Sequence, residues 1–188
     1  MNSKSINNEL NIIIGLDSYN DEKDVFLTNE INSNSNSYCF YKNFNTVAFV
    51  IKSKTPFKHS FENILNLIYF KQKTNIRKKY MDILQDPQAF IEEMYQKNIV
   101  FVNQDEITNR NKKLLLHCNS ILMCGNSARE RVNNIINQSN TKNNKTFHAI
   151  HPSTFNIDDI RYIDDWVDIK TRNNYETYQH KVKKHFMI

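Results

Sequence analysis

Short apolar runs recur along this chain, and two of them stop directly at a glycine. Five of them read as buried strands: Leu10–Ile14, Thr46–Ile51, Asn98–Val102, Ile121–Cys124 and Thr146–Ile150. They are rich in β-branched and aliphatic residues, as strands covered on both faces are. Helical spacing fills the intervals between them. Ser60–Phe70 repeats its apolar residues at helical spacing, with Ser60 placed as the N-cap. Asp86–Gln96 opens on Asp-Pro, a favourable helix start. Ser127–Gln138 puts Val132, Ile135 and Ile136 on one face. Strands alternating with helices predict an α/β protein with a mostly parallel sheet and helices on both sides.

Glycine punctuates this pattern sparingly. Only two glycines occur in 188 residues, and each directly follows a strand-like run: Gly15 after Ile14 and Gly125 after Cys124. Glycine admits positive φ and lets another group approach the backbone closely. In open parallel sheets the ligand sits beyond the strand C-termini. The polar residues expected there are Asp17, Tyr19, Asn103, Asn126 and His151. Each alone is also a good turn former. Together they bring a carboxylate, a phenol, an amide and an imidazole to one sheet edge. Asp17 can serve as a base or as an anionic stabiliser. Asn103 carries both a donor and an acceptor, enough to read the edge of a nucleobase. His151 can donate to a developing oxyanion, and Phe49 offers a π-face for stacking.

Composition narrows the class. The length suits one domain, residues 1–188, with a full core. Apolar residues make up 39% and charged residues 24%, ordinary for a soluble globular protein. No run approaches membrane-span length, and the polar start carries no secretory h-region. Cys39, Cys118 and Cys124 form no C-x-x-C pair, which points to free buried thiols in a reducing, cytoplasmic setting and away from a structural metal. The net charge of +5 tilts the partner towards a polyanion.

The order of the motifs resembles that of the main, uracil-specific family of uracil-DNA glycosylases, along nearly the whole chain. That family's G-Q-D-P-Y-H motif reads here as Gly15-Leu16-Asp17-Ser18-Tyr19-Asn20. Its strand with a Phe matches Val47-Ala48-Phe49-Val50, and its Pro-rich loop leading to S-L-E-N-I matches Thr55-Pro56 through Ser60-Phe61-Glu62-Asn63-Ile64. The V-L-L-L-N strand matches Ile99–Asn103, the G-S turn matches Gly125-Asn126-Ser127-Ala128, and H-P-S-P matches His151-Pro152-Ser153-Thr154. The first motif lacks the family's Gln, Pro and His, the loop keeps one Pro, and Thr154 replaces the final Pro.

The resemblance implies a three-layer α/β/α fold around a central, mostly parallel four-stranded sheet. It implies excision of a flipped uracil from DNA, as in base-excision repair, without a metal or cofactor. On that basis Phe49 stacks on the base and Asn103 bonds its Watson–Crick edge. Tyr19 blocks the 5-position and Leu16 belongs to the base pocket; for an enzyme acting on another base, Leu16 and Ser18 would be the reshaped positions. Asp17 stabilises the cationic sugar and positions water, and His151 stabilises charge on uracil O2. Ser60, Gly125, Asn126 and Ser153 would contact phosphates, and Phe155 would fill the vacated stack or, on the competing reading, the core. The same fold can instead act on another modified base or serve as a non-catalytic, replication-accessory DNA binder. The acidic stretch from Asp158 to Asp168 either turns away from DNA or meets a protein partner. The basic cluster Lys71, Lys73, Arg77, Lys78 and Lys79 reads as a solvated helix end, with DNA or partner binding as the alternative.

Overall fold

The computed structural model describes residues 9–15, 25–51, 58–69, 72, 74–139, 145–149, 151–152 and 184–188. The chain forms a three-layer α/β/α fold. Its centre is a four-stranded, all-parallel sheet of β1 (Asn11–Gly15), β4 (Ile99–Asn103), β5 (Ser120–Cys124) and β6 (Lys145–Ala149), in the order β4-β1-β5-β6. Register is direct: Gly15 lies beside Asn103, Ile12 beside Ile121, and Cys124 beside Ala149. Every residue of β1, β4 and β5 is buried. That is why their sequences run apolar without alternation.

The run Thr46–Ile51 departs from expectation. It forms β3, paired antiparallel with the short β2 (Val25–Leu27) in a separate two-stranded sheet. β3 lies beside β4 and covers that edge of the central sheet. Its continuous burial therefore reports cover from neighbours, not membership of the parallel sheet. The backbone N–H of Phe101 in β4 donates to the Tyr41 hydroxyl at 3.0 Å. Tyr41 belongs to a single-turn helix, α1 (Tyr38–Tyr41), and burial pushes its hydroxyl pKa up.

The helices end where their caps dictate. α2 spans His59–Ile68, and its N-cap is Lys58, so Ser60 sits inside the first turn instead of capping the helix. α3 (Ile76–Gln85) starts on Asn75, whose side chain accepts from the Lys78 N–H at 3.0 Å. α4 (Pro87–Gln96) starts on Asp86, which accepts from the Ala89 N–H at 2.9 Å, as Asp-Pro predicts. Asn98 follows its C-cap with φ 59°, and its N–H donates to Tyr95 O. That left-handed residue closes the helix and so lies before β4, not in it. A short α5 (Lys112–Leu116) leads to β5, and α6 (Asn126–Asn137) follows Gly125.

One core runs through these layers. Tyr41, Phe61, Tyr80, Phe101 and Phe186 are its largest fully buried side chains. Phe61 packs against Tyr80 and edge-on to Phe90, which stacks on Phe101 at 5.8 Å. Cys118 and Cys124 are buried, and burial pushes the Cys118 thiol pKa up to about 12. Cys39 is exposed, contrary to the expectation of three buried thiols, because it lies on the outward side of α1. Among the described residues no helix is long and apolar enough to cross a membrane.

Candidate functional site at the strand C-termini

The topology itself locates a crevice. From β1 the chain moves to β4 on one side, then crosses to β5 and β6 on the other. The strand order therefore reverses between β1 and β5. Ligands of open parallel sheets bind at such a switch point, outside the strand C-termini. Gly15 ends β1 and Gly125 follows β5, so the chain's two glycines flank this crevice.

Close approach explains Gly15. A Cβ added there would lie 3.0 Å from Phe49 Cζ, 3.2 Å from Phe49 Cε2 and 3.3 Å from Asn103 Oδ1. Gly15 has no positive φ; among the described glycines only Gly125 does. What it supplies is the missing side chain, into whose space the ring and the amide close. Phe49 takes the left-handed conformation that Gly15 does not, with φ 65°. A bulky residue rarely stays there unless its surroundings hold it. Phe49 is 6% exposed and sits in the core cluster, so packing supplies that hold.

Asn103 is 3% exposed, at the end of β4. Its Nδ2 donates to Thr46 Oγ1 at 2.9 Å. The Thr46 hydroxyl in turn donates to Glu106, which also accepts from the backbone N–H groups of Thr46 and Asn45. Glu106 reaches them from the 3₁₀ turn Gln104–Glu106 that directly follows Asn103. Neither Thr46 nor Glu106 was expected at the site. Only their offsets, three residues before Phe49 and three after Asn103, hint at it.

On the other side of the crevice, Gly125 has φ 101° and ψ 164°, a conformation open essentially to glycine alone. Its N–H donates to Ala149 O at 2.8 Å, tying β5 to β6. His151 packs over it: a Cβ at Gly125 would lie 3.5 Å from His151 Cβ and 3.7 Å from Cδ2. The half-buried His151 is held from behind, because the buried Asn63 of α2 donates through Nδ2 to the carbonyl of Pro152. Asn63 lies in the motif Ser60–Ile64, where no role was expected of it. Gly125 is the N-cap of α6, whose first residues, Asn126 and Ser127, are exposed. Backbone N–H groups at such a helix start attract anions. Ser60, also expected at the site, is buried in the first turn of α2.

The structure thus brings together Phe49, Asn103 and Gly15 on one side, and Gly125, Asn126 and His151 on the other. Leu16, Asp17, Tyr19, Ser153 and Phe155 lie outside the described residues, as does the acidic stretch Asp158–Asp168. Of the basic cluster, Lys79 is tied to Glu93 at 2.9 Å and lies over the Tyr69 ring, so it is part of a packed helix seam. A concavity of about 540 Å³ opens at the opposite end of the sheet, lined among others by Lys97, Asn119, Lys145, Lys184 and His185. It lies at the strand N-termini, away from the switch point, and its amides bond one another: Asn119 Nδ2 donates to Asn11 Oδ1 at 2.9 Å and lies 3.1 Å from His185 Nδ1. We read it as a structural seam that holds the C-terminal turn. No family model matches this chain, and no curated protein matches it.

Proposed function

We propose that the chain is a uracil-DNA glycosylase, which flips uracil out of DNA and hydrolyses its N-glycosidic bond. The observation that carries the reading is the convergence of a Phe ring and an Asn amide on the bare backbone of Gly15. A planar, edge-polar ligand needs such a pair, a face to stack on and an edge to bond. The motif order, with its resemblance to the uracil-specific glycosylases, supplies the identity of the base.

The scale of the crevice supports it. Adjacent strands lie about 4.8 Å apart, so the ends of β4 and β5 are separated by roughly 10 Å. A pyrimidine ring held by two hydrogen bonds of about 2.9 Å, one at each side, fits that span. Asn103 would serve the N3–O4 edge and His151, seated over Gly125, the O2 side. Phosphates flanking the base would lie against the start of α6 and contact Asn126.

The reaction separates charge. The C1′–N1 bond breaks with its electron pair going to uracil, whose O2 and N1 share the negative charge. His151, as a neutral donor, stabilises that oxyanion. The carboxylate of Asp17 would stabilise the cationic sugar. Water then adds its oxygen to C1′ and gives its proton to Asp17, leaving an abasic sugar and the uracil anion, which becomes free uracil when Asp17 returns that proton through solvent. Tyr19 excludes a 5-methyl group, and Leu16 shapes the same pocket. Ser153 would add a phosphate contact, and Phe155 would fill the vacated stack.

The test is incubation with otherwise identical oligonucleotides carrying one uracil, thymine or cytosine, followed by alkali. Strand breaks at uracil alone are expected. Tight DNA binding without any break would overturn the enzyme reading in favour of a DNA-binding accessory role, and breaks at a different modified base would replace the substrate.

A further inference from the structure

We propose that Thr46 and Glu106 are positioning residues that fix which way the Asn103 amide faces, and thereby set the discrimination between uracil and cytosine. The inference rests on the uracil reading for its substrate, but its geometry stands on three side chains. A hydroxyl has one proton to give. That of Thr46 goes to the Glu106 carboxylate, which can only accept. Thr46 Oγ1 therefore offers Asn103 nothing but lone pairs. The amide meets it with Nδ2, at 2.9 Å, and a flipped amide would set oxygen against oxygen. Asn103 Oδ1 is thereby turned towards Gly15 and the Phe49 ring. The second N–H of Nδ2 stays available beside it.

That polarity selects the ligand edge. Oδ1, on the side away from Thr46, requires a donor, and the adjacent N–H requires an acceptor. Uracil presents them as N3–H and O4. Cytosine presents the reverse, an N3 lone pair and an N4 amino group. An asparagine free to rotate its amide by half a turn would satisfy either base equally well. Discrimination accordingly resides in the relay behind Asn103 as well as in Asn103 itself. Glu106 is in turn anchored by the backbone N–H groups of Asn45 and Thr46, so it cannot turn away to release the hydroxyl without leaving those donors unpaired.

Three variants test the relay. Thr46→Val removes the acceptor that Asn103 needs. Glu106→Gln keeps a hydrogen-bonding group of the same shape but can donate to Thr46, which then frees the hydroxyl to donate to a flipped amide. Thr46→Ser preserves the relay. Uracil and cytosine release are measured side by side on matched single-stranded oligonucleotides. The uracil-to-cytosine ratio is expected to fall by about tenfold or more in Thr46→Val and Glu106→Gln, as expected for losing an enforced mispairing, and to hold in Thr46→Ser. Merely structural damage would lower both rates together and leave the ratio unchanged. Ratios at the wild-type value in both disrupted variants would overturn the relay and leave the uracil reading standing. If the wild-type protein releases neither base, the uracil reading falls, and the Asn103 side-chain amide resonances in ¹⁵N-labelled protein decide the relay alone. Those resonances should move in Thr46→Val and Glu106→Gln and stay in Thr46→Ser; unmoved resonances in the first two would overturn it.

Discussion

Replacing Gly15 by alanine should damage the site out of proportion to the single methyl group added. The backbone of Gly15 has no positive φ, so alanine meets no conformational barrier there. The whole effect comes from contact. The new Cβ would lie 3.0 Å from Phe49 Cζ and 3.3 Å from Asn103 Oδ1, whereas carbon atoms pack best about 3.5–4.0 Å apart. The ring must therefore retreat by roughly 0.5–1 Å. It has little room, being 6% exposed on a backbone already at φ 65°. Overpacking of this kind costs about 1–3 kcal/mol. Alanine also stiffens the unfolded chain, which returns about 0.4–1 kcal/mol. The net loss is about 1–2 kcal/mol, which lowers the melting temperature by about 2–8 °C for a chain of this size. On the proposed glycosylase reading, base release should fall further, by about a hundredfold, because a stacking ring moved by about 1 Å would no longer hold the base for reaction.

A double-mutant cycle isolates the contact. In a Phe49→Ala background the ring is gone, and Gly15→Ala should then be neutral or should stabilise the fold by about 0.4–1 kcal/mol. The assay is thermal or denaturant unfolding of the four proteins, with release from a uracil oligonucleotide measured beside it. An equal cost of Gly15→Ala in both backgrounds would refute the reasoning. So would a single variant with wild-type stability and wild-type turnover.

Gly125→Ala is expected to destabilise the fold by about 1–3 kcal/mol through its backbone; since its Cβ would meet His151 at an ordinary 3.5 Å, a His151→Ala background should not relieve the loss in an unfolding assay. Asp17→Asn should lower uracil release by several orders of magnitude while DNA affinity, measured in parallel, stays near wild type, because a charge acting on the cationic transition state contributes little to ground-state binding. His185 has its pKa held below the ordinary 6.5 by burial and by the charges of Lys145 and Lys184. Its unfolded form takes up a proton first as pH falls, so its stabilising contribution is present above 6.5 and is lost as pH drops through the lower folded value. Melting curves from neutral to mildly acidic pH should show that loss, and His185→Gln should flatten it.

The fold was legible where burial leaves an unbroken apolar run. β1 and β5, covered on both faces, announce themselves in Ile12–Ile14 and Ile121–Met123, and the glycine after each run marks the end that faces the crevice. β3 looked the same and yet belongs to the other sheet, because an apolar run records that something covers a strand and not which strand pairs with it. β6, the last strand of the sheet among the described residues, begins exposed at Lys145 and Thr146, and its signal rests on Phe147 and Ala149. β2 has three residues, too few for any period to register. At the site, Phe49, Asn103, Gly125 and His151 could be picked out because each ends or follows an apolar run, or sits in a recognisable motif. Thr46 and Glu106 could not. They are 60 residues apart, and their meeting depends on a turn that folds Glu106 back onto the start of β3.

That turn also explains how two separate sheets can share one site. Apolar packing between β3 and β4 is non-directional, and by itself it would tolerate a slide of one strand along the other. Hydrogen bonds are directional and do not tolerate it. The junction is accordingly pinned by polar groups at the start of β3. Glu106 holds the N–H groups of Asn45 and Thr46. The buried Asn111 donates to Asn43 O at 3.0 Å and to Glu106 O at 2.9 Å, and accepts from the Thr108 N–H at 2.8 Å. These bonds tie the loop before β3 to the loop after β4. Phe49 lies three residues beyond the pinned end, on a strand whose position is thereby set against Asn103. A slip of one residue would turn the Phe49 side chain to the opposite face of its strand. The ring and the amide meet over Gly15 because the polar pins fix the register, while the apolar core supplies the stability that lets those buried polar groups stay there.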